Sequence, residues 1–473
     1  MMISAFPQRL KPRCYTELMA ELKSCPFKTM EMIMMMKRVL SGVAFGGGLL
    51  LVGCGVTTPT TPLTVQGSAL HGNVHGGQQA VSGASIQLYA AGATGYGSAA
   101  TYSSGTSLLG TNVVTSDANG NFSISNDYTC PTASTEVYLV ATGGNPGLGV
   151  GGNNPNLALM TALGPCGNLS SSTYVSINEV TTVASVWALS GFMTGPSNIG
   201  TSATNAVGLT NAFATVNIIA NTGRGTAGGT TVPAGATLPT AKLNTLADML
   251  ASCINSSGGT ASNTGTNCGA LFNATTVGSS VPTDTITAAM NMAQNPGLAS
   301  STLTGLTSPT SPFQPTVASM TDLSLVIKYT GGGLSTPKGI ATDGSGNVWL
   351  PNSGNNSVTK FSNAGTVLSG TNGFTAGPLS APSSIAVDTG GNAWVTNTGN
   401  NSVTELNPAG SSGTVFSGTS FNTPNSVAID GNGNAWVSNS GNNSATEIAT
   451  TQVVTNYSGP GVIAPAAIAL DPK

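Results

Sequence analysis

Three copies of one phrase govern what the C-terminal third of this chain can become. GNAWVTNTGNNSVTEL at 391–406 lies 45 residues after GNVWLPNSGNNSVTKF and 42 residues before GNAWVSNSGNNSATEI. Pro337, Pro382, Pro424 and Pro465 keep intervals of 45, 42 and 41, and Asp343, Asp388, Asp430 and Asp471 repeat them. The second copy splits at its Gly and Asn residues into SSIAVD, NAWVTN, SVTELN and TVFSG. Short alternating runs between turn residues predict four strands per unit. A unit this small cannot bury both faces of its own sheet, so the repeat predicts sheets stacked on one another.

Strand-built periods of this length are those of propeller blades. PKGIATDGSGNVWL, PSSIAVDTGGNAWV and PNSVAIDGNGNAWV, each followed by GNNS, resemble the NHL repeat of six-bladed propellers. That family usually has Asp before the T-G-N-N turn and a basic residue after G-N-N. Here Asn352, Asn397 and Asn439 take the first place and Ser357, Ser402 and Ser444 the second. Both departures remove charge, so neither ion pairs nor basic recognition is expected there. SLVIKYTG before Pro337 reads as a fourth strand without a blade, and AAIALDPK as the first strand of another. Three blades with two orphan strands leave open edges. A shortened reading frame is the favoured explanation, ahead of two chains completing one ring by edge pairing.

The front of the chain carries an address. MKRVLSGVAFGGGLLLVGC has two basic residues, an apolar stretch at 39–52 and small residues before Cys54, the pattern of a secretory signal. Leu51-Val52-Gly53-Cys54 resembles the bacterial lipobox, which implies cleavage before Cys54 and lipid on its sulfur. Gly55 after the cysteine matches the sorting pattern of outer-membrane delivery. The expected location is the cell envelope, at the outer membrane or cell surface. Residues 1–35 read as an over-extended start, with the signal at 36–53 and a Thr/Pro tether at 54–67.

Only 6% of residues are charged while 39% are hydrophobic. That balance argues for a folded, β-rich protein solvated by hydroxyls and amides rather than for disorder. Beyond Cys54 the chain has 6 Lys and Arg against 13 Asp and Glu, a net charge of −7. No basic patch for nucleic acid is expected.

Residues 68–145 alternate as strands, with a turn at Asn119-Gly120 and a strand at 136–142. GNVHGGQQAVSGASIQLY and TSDANGNFSI resemble the carboxypeptidase regulatory-like domain, a transthyretin-like β-sandwich. Ala80 stands where that family often has Pro. Such domains usually serve as stalks or adhesive modules. After a linker at 146–173, residues 174–296 change to helical period. Val180, Val183, Ala184 and Trp187 share one face; so do Leu209, Phe213, Val216 and Ala220; so do Leu243, Leu246, Leu250 and Ile254. With PTDTITAAMNMAQNP these predict four helices in a small domain. A second linker at 297–317 leads to the repeats at 318–473.

Cys14 and Cys25 fall in the doubtful start and Cys54 takes lipid, leaving Cys130, Cys166, Cys253 and Cys268. Four cysteines in an oxidising compartment predict two disulfides. Cys253 and Cys268 fall within one expected domain, and Cys130 lies in the preceding one with Cys166 just past its end, which favours Cys130–Cys166 and Cys253–Cys268 among the three pairings. A metal site is not expected, since there is no C-x-x-C and no nearby histidine.

Trp349, Trp394 and Trp436 are expected to pack between blades; the competing role is a stacking platform for sugar. Asp343, Asp388 and Asp430 precede G-N turns and are expected to hold those turns, since they lack the spaced acids of a calcium loop. Asp117 within DANGN has the same expectation. His71 and His75 lie four residues apart on one strand, about 13 Å, too far for one metal to bridge. Lyases built on related propellers rely on propeller histidines, and residues 297–473 contain neither His nor Cys. Glu405 and Glu447 recur at equivalent positions, as structural residues do.

The expected protein is therefore multidomain and mainly β, with an N-terminal β-sandwich, a small disulfide-stapled helical domain and a partial NHL-like propeller of about three blades. Its expected role is binding or scaffolding without cofactor, metal or catalysis. Its expected partners are the membrane through a lipid, a protein or glycan on the propeller, and a second copy through the open edges. The alternative is a propeller enzyme of lyase or lactone-hydrolase type on an extracytoplasmic substrate.

Overall fold

A computed structural model describes residues 63–99 and 107–470. Cys14, Cys25, Cys54, the signal and most of the tether lie outside the described residues.

Ten strands make the first part of the chain: β1 (Val65–Gln66), β2 (Leu70–Gly76), β3 (Gln79–Ala80), β4 (Ser85–Ala90), β5 (Val114–Thr115), β6 (Asn121–Ile124), β7 (Thr129–Cys130), β8 (Glu136–Thr142), β9 (Ala158–Pro165) and β10 (Tyr174–Ile177). One sheet has the order β5-β4-β8-β9; in the other, β2 lies between β10 and β6 and also pairs with β3. Leu70, Val74, Ile86, Leu88, Phe122 and Leu139 from both sheets join one buried cluster. The alternation of β2 and β4 is the reason, since it presents one apolar face per strand.

Five helices of eight or more residues follow: α1 (Glu179–Leu189), α2 (Ala206–Ile219), α3 (Thr240–Ile254), α4 (Asn267–Ala274) and α5 (Thr285–Gln294). Four lie where the helical period predicts them. α4 is additional and carries Cys268 in its first turn. α1 is buried on nearly every side, polar residues included. Its position explains its hydroxyls. β9 is the edge of its sheet, and its outward N–H groups need acceptors. Met160 N–H donates to Thr182 Oγ1 at 2.9 Å, Ala162 N–H to Ser185 Oγ at 3.0 Å, and Ala158 N–H to Thr285 Oγ1 of α5 at 3.0 Å.

The boundaries expected between sandwich and helices separate no two cores. The 146–173 segment holds β9, and β10, at the expected start of the helical domain, pairs in parallel with β2. A single buried cluster runs from Leu70 through α1, α3 and α5 to Leu323. The physical cause is β9, whose sheet face and hydrogen-bonding edge are both covered by helices. Two disulfides lie in this body, Cys130–Cys166 and Cys253–Cys268.

The repeats form consecutive antiparallel sheets. The second has strands Pro382–Val387, Ala393–Asn397, Ser402–Leu406 and Gly413–Ser417 in sequential order; the third has Pro424–Ile429, Ala435–Asn439, Ser444–Ile448 and Val454–Ser458. The first has three strands, Ala341–Thr342, Val348–Asn352 and Ser357–Phe361, with isolated bridges at Val367 and Phe374. These meanders are propeller-like, and among the described residues they close no ring. Within SLVIKYTG, Lys328–Tyr329 pairs with Ala236–Thr237 of the body rather than with a repeat. No strand is assigned within 465–470.

Candidate functional site

Each repeat turns on an aspartate. Asp343 Oδ1 accepts the Asn347 N–H at 2.9 Å, while its Oδ2 accepts from Asn347 Nδ2 at 2.9 Å and Trp349 Nε1 at 3.2 Å. Asp388 and Asp430 repeat the pattern, with Trp394 Nε1 at 3.1 Å and Trp436 Nε1 at 3.0 Å. Burial pushes Asp343 up, but hydrogen bonds from Asn347, Trp349 and Ser345 outweigh it and hold the carboxyl below its ordinary value. Asp117 holds its own turn the same way, through Asn119 and Asn121. Trp349 and Trp394 are buried between repeats, and their rings meet Phe374 and Phe416 at 5.7 and 5.5 Å.

The uncharged G-N-N-S turn has its own logic. Asn352, Asn397 and Asn439 are fully buried, and each donates Nδ2 to a serine and a threonine hydroxyl: Ser357 and Thr359, Ser402 and Thr404, Ser444 and Thr446. A carboxylate could not donate these bonds. Asn356, Asn401 and Asn443 adopt φ of 54°, 53° and 57°. Their Oδ1 atoms accept from the Ala381, Thr423 and Ala464 amides at 2.8–2.9 Å, bonding each turn to the segment that follows its repeat.

One position breaks the repetition. Lys360 Nζ lies 3.3 Å from Asp343 Oδ2, 2.9 Å from the Pro408 carbonyl and 4.2 Å from the Trp349 ring centroid. The same cross-strand position opposite tryptophan holds Glu405 and Glu447 in the next two repeats. Glu447 accepts the Tyr457 hydroxyl at 2.8 Å. Phe416 stands in place of that tyrosine in the second repeat, and Glu405 has no hydrogen-bond partner among the described residues. Burial, then Asp388, pushes Glu405 up.

The sheets stack by two unlike faces. The tryptophan face of one repeat, with Trp394, Val403 and Phe416, meets the aliphatic face of the next, with Val427, Ala435, Val437 and Ile448. Trp349 and Val358 meet Ile385, Ala393, Val395 and Leu406 in the same way. Ile385 and Val427 are each 6% exposed, while their equivalent in the first repeat, Ile340, is 68% exposed. It borders an apolar groove of about 350 Å³ with Val348, Leu350 and Phe361. At the other end of the array the face of Trp436 is open, and Tyr457 is 47% exposed.

The body carries a larger cavity of about 510 Å³, lined by His75, Arg224 and amide and hydroxyl side chains. His75 lines it, whereas His71 lies elsewhere against Ser123, at 3.1 Å. Sequence reasoning did not find this cavity. Among the described residues no three His, Cys, Asp or Glu residues group to hold a metal, and no helix is long and apolar enough to cross a membrane.

No family model matches the chain, and no curated protein matches it. Solved structures give partial likenesses. A streptogramin B lyase structure matches at 19% identity and TM-score 0.24, over 28% of this chain and 42% of that one. A selenomethionine-substituted virginiamycin B lyase from Staphylococcus aureus matches at 16% and 0.28, over 31% and 50%. A nidogen/laminin complex matches at 20% and 0.24, over 28% and 52%. The chain spans about half or less of the length of these proteins. Likeness this slight bears on no activity, and the propeller-like description rests on the sheets themselves.

Proposed function

We propose that this chain is a non-catalytic binding and scaffolding protein of the bacterial envelope, held to the membrane by lipid on Cys54, and that its partial NHL-like propeller associates through its two end faces. The observation that carries this reading is the mismatch at Ile340: its counterparts are buried at both inter-repeat contacts, whereas Ile340 is exposed on a face that Tyr329 covers only at Phe361. The tryptophan face it would meet is uncovered at the third repeat. Two copies joined at both ends bring six repeats together, within the four to eight blades of closed propellers. The two disulfides accord with an oxidising compartment. The transthyretin-like reading of the sandwich gives the body the role of a stalk.

Sedimentation velocity on the unlipidated chain tests the association. The expected result is a dimer that forms with rising concentration and is lost in Ile340→Glu, a change at an exposed side chain that leaves the fold intact. A monomer at all concentrations, or a dimer indifferent to Ile340→Glu, overturns the reading.

A further inference from the structure

The cavity in the body is built on the face of β2 and β10 that turns away from the core. Along β2, Leu70, Gly72, Val74 and Gly76 are buried, which sends Asn73 and His75 to the other side. Ser176 of β10 is the register partner of Asn73 and lines the same cavity. The far walls come from 224–227, the first turns of α3 and 312–314. Gly77 closes one end: its φ is +60°, and a Cβ there would stand 2.9 Å from Pro312.

Polar groups of the lining are left without partners. Ser176 is only 5% exposed, and its hydroxyl bonds nothing among the described residues. Asn73 Oδ1 is enclosed and unpartnered. Asn244, 4% exposed, donates Nδ2 to the Pro315 carbonyl and keeps Oδ1 unused. Buried polar groups left this way cost free energy unless something bonds them. Arg224 is the one Arg or Lys in the lining and forms no ion pair among the described residues; no Asp or Glu lines the cavity. Behind Gly77, Glu179 accepts the Gly77 N–H, and burial pushes its carboxyl up to about 8.

We propose that this cavity binds an acidic saccharide of one or two rings, its carboxylate on Arg224 and its hydroxyls on Ser176, Asn73 and Asn244. Amides and hydroxyls match a ligand rich in hydroxyls, a guanidinium matches a carboxylate bidentately, and Phe313 offers a surface to the C–H face of a ring. The volume lies in the range of small-molecule sites. This site is separate from the end faces of the repeats and does not depend on their association.

Calorimetric titration of the unlipidated full chain with digalacturonate and with neutral digalactose tests it. The expected result is binding of digalacturonate about tenfold tighter than of the neutral sugar. Arg224→Gln, at an exposed side chain, should erase that preference while leaving the melting profile unchanged. Ser176→Ala should weaken both sugars. Equal affinity for the two sugars, no binding of either at millimolar concentration, or an unchanged preference in Arg224→Gln overturns the proposal.

Discussion

Glu405→Lys should stabilise the second repeat. The first repeat shows the target arrangement: an ammonium 3.3 Å from Asp343, 2.9 Å from a carbonyl of the next repeat and 4.2 Å from the centre of an indole. The second repeat offers Asp388, Trp394 and the 449–450 segment around a cavity of about 220 Å³. A partly exposed ion pair is worth about 0.2–1 kcal/mol and a cation over an indole about 0.5–1 kcal/mol, so the gain should be about 1–2 kcal/mol. The pH dependence has a definite sign. A carboxyl raised in the folded state supports folding below its ordinary value, and that support is lost as pH rises through the raised value. The parent should therefore lose local stability over that interval, and Glu405→Lys should not. Hydrogen exchange of the amides in Ala393–Asn397 and Ser402–Leu406 reads the effect. Protection should rise about 5- to 30-fold in the lysine variant. Glu405→Gln, which removes the charge without supplying an ammonium, should show less. Unchanged protection in the lysine variant, or equal protection in both, would refute the argument.

Three further outcomes are expected. Opening Cys130–Cys166, which closes 36 residues, should cost about 4 kcal/mol and opening Cys253–Cys268, which closes 15, about 3 kcal/mol; denaturant titration of the paired alanine variants gives the order. Glu179, carried from an ordinary 4.5 to about 8 by burial, then opposed by the Gly77 N–H and reinforced by Asp248, should make the body lose stability as pH rises from 4.5 to 8. Glu179→Gln should flatten that slope, by about 5 kcal/mol at most, read as melting against pH. Cys54→Ala should move the protein from the membrane pellet to the soluble fraction, and retention in the pellet would contradict the lipid anchor.

The repeat strands were legible because GNN turns bracket runs of period two, and those runs carry their own facing. SSIAVD and NAWVTN become strands within a residue or two of where they read. β9 was hidden for the opposite reason. ALMTALGP shows no alternation, since it is buried on both sides, and it follows a Gly/Asn-rich segment that reads as linker. Thr182, Ser185 and Thr285 looked like ordinary small residues on helices; their role appears only once β9 lies beside them. The cavity is assembled from segments near 75, 176, 225, 244 and 313, and no local pattern links them. The spacing of His71 and His75 argues only against a shared metal and gives no sign that His75 lines a cavity. At 360, 405 and 447 the repeat itself contained the signal: one basic residue against two acids.

The parallel pairing of β2 with β10 also decides how the body bears a mechanical load. A pull on the chain ahead of residue 63 first meets β1, held to β7 by two residues beside the cross-linked Cys130. Beyond it stands β2, flanked by β10 in parallel and β6 in antiparallel register. Tension along β2 acts across its lateral hydrogen bonds, so the strand must shear them together rather than unzip them one by one. The Cys130–Cys166 bond ties β7 to the end of β9, so the extension released by any slippage is limited there.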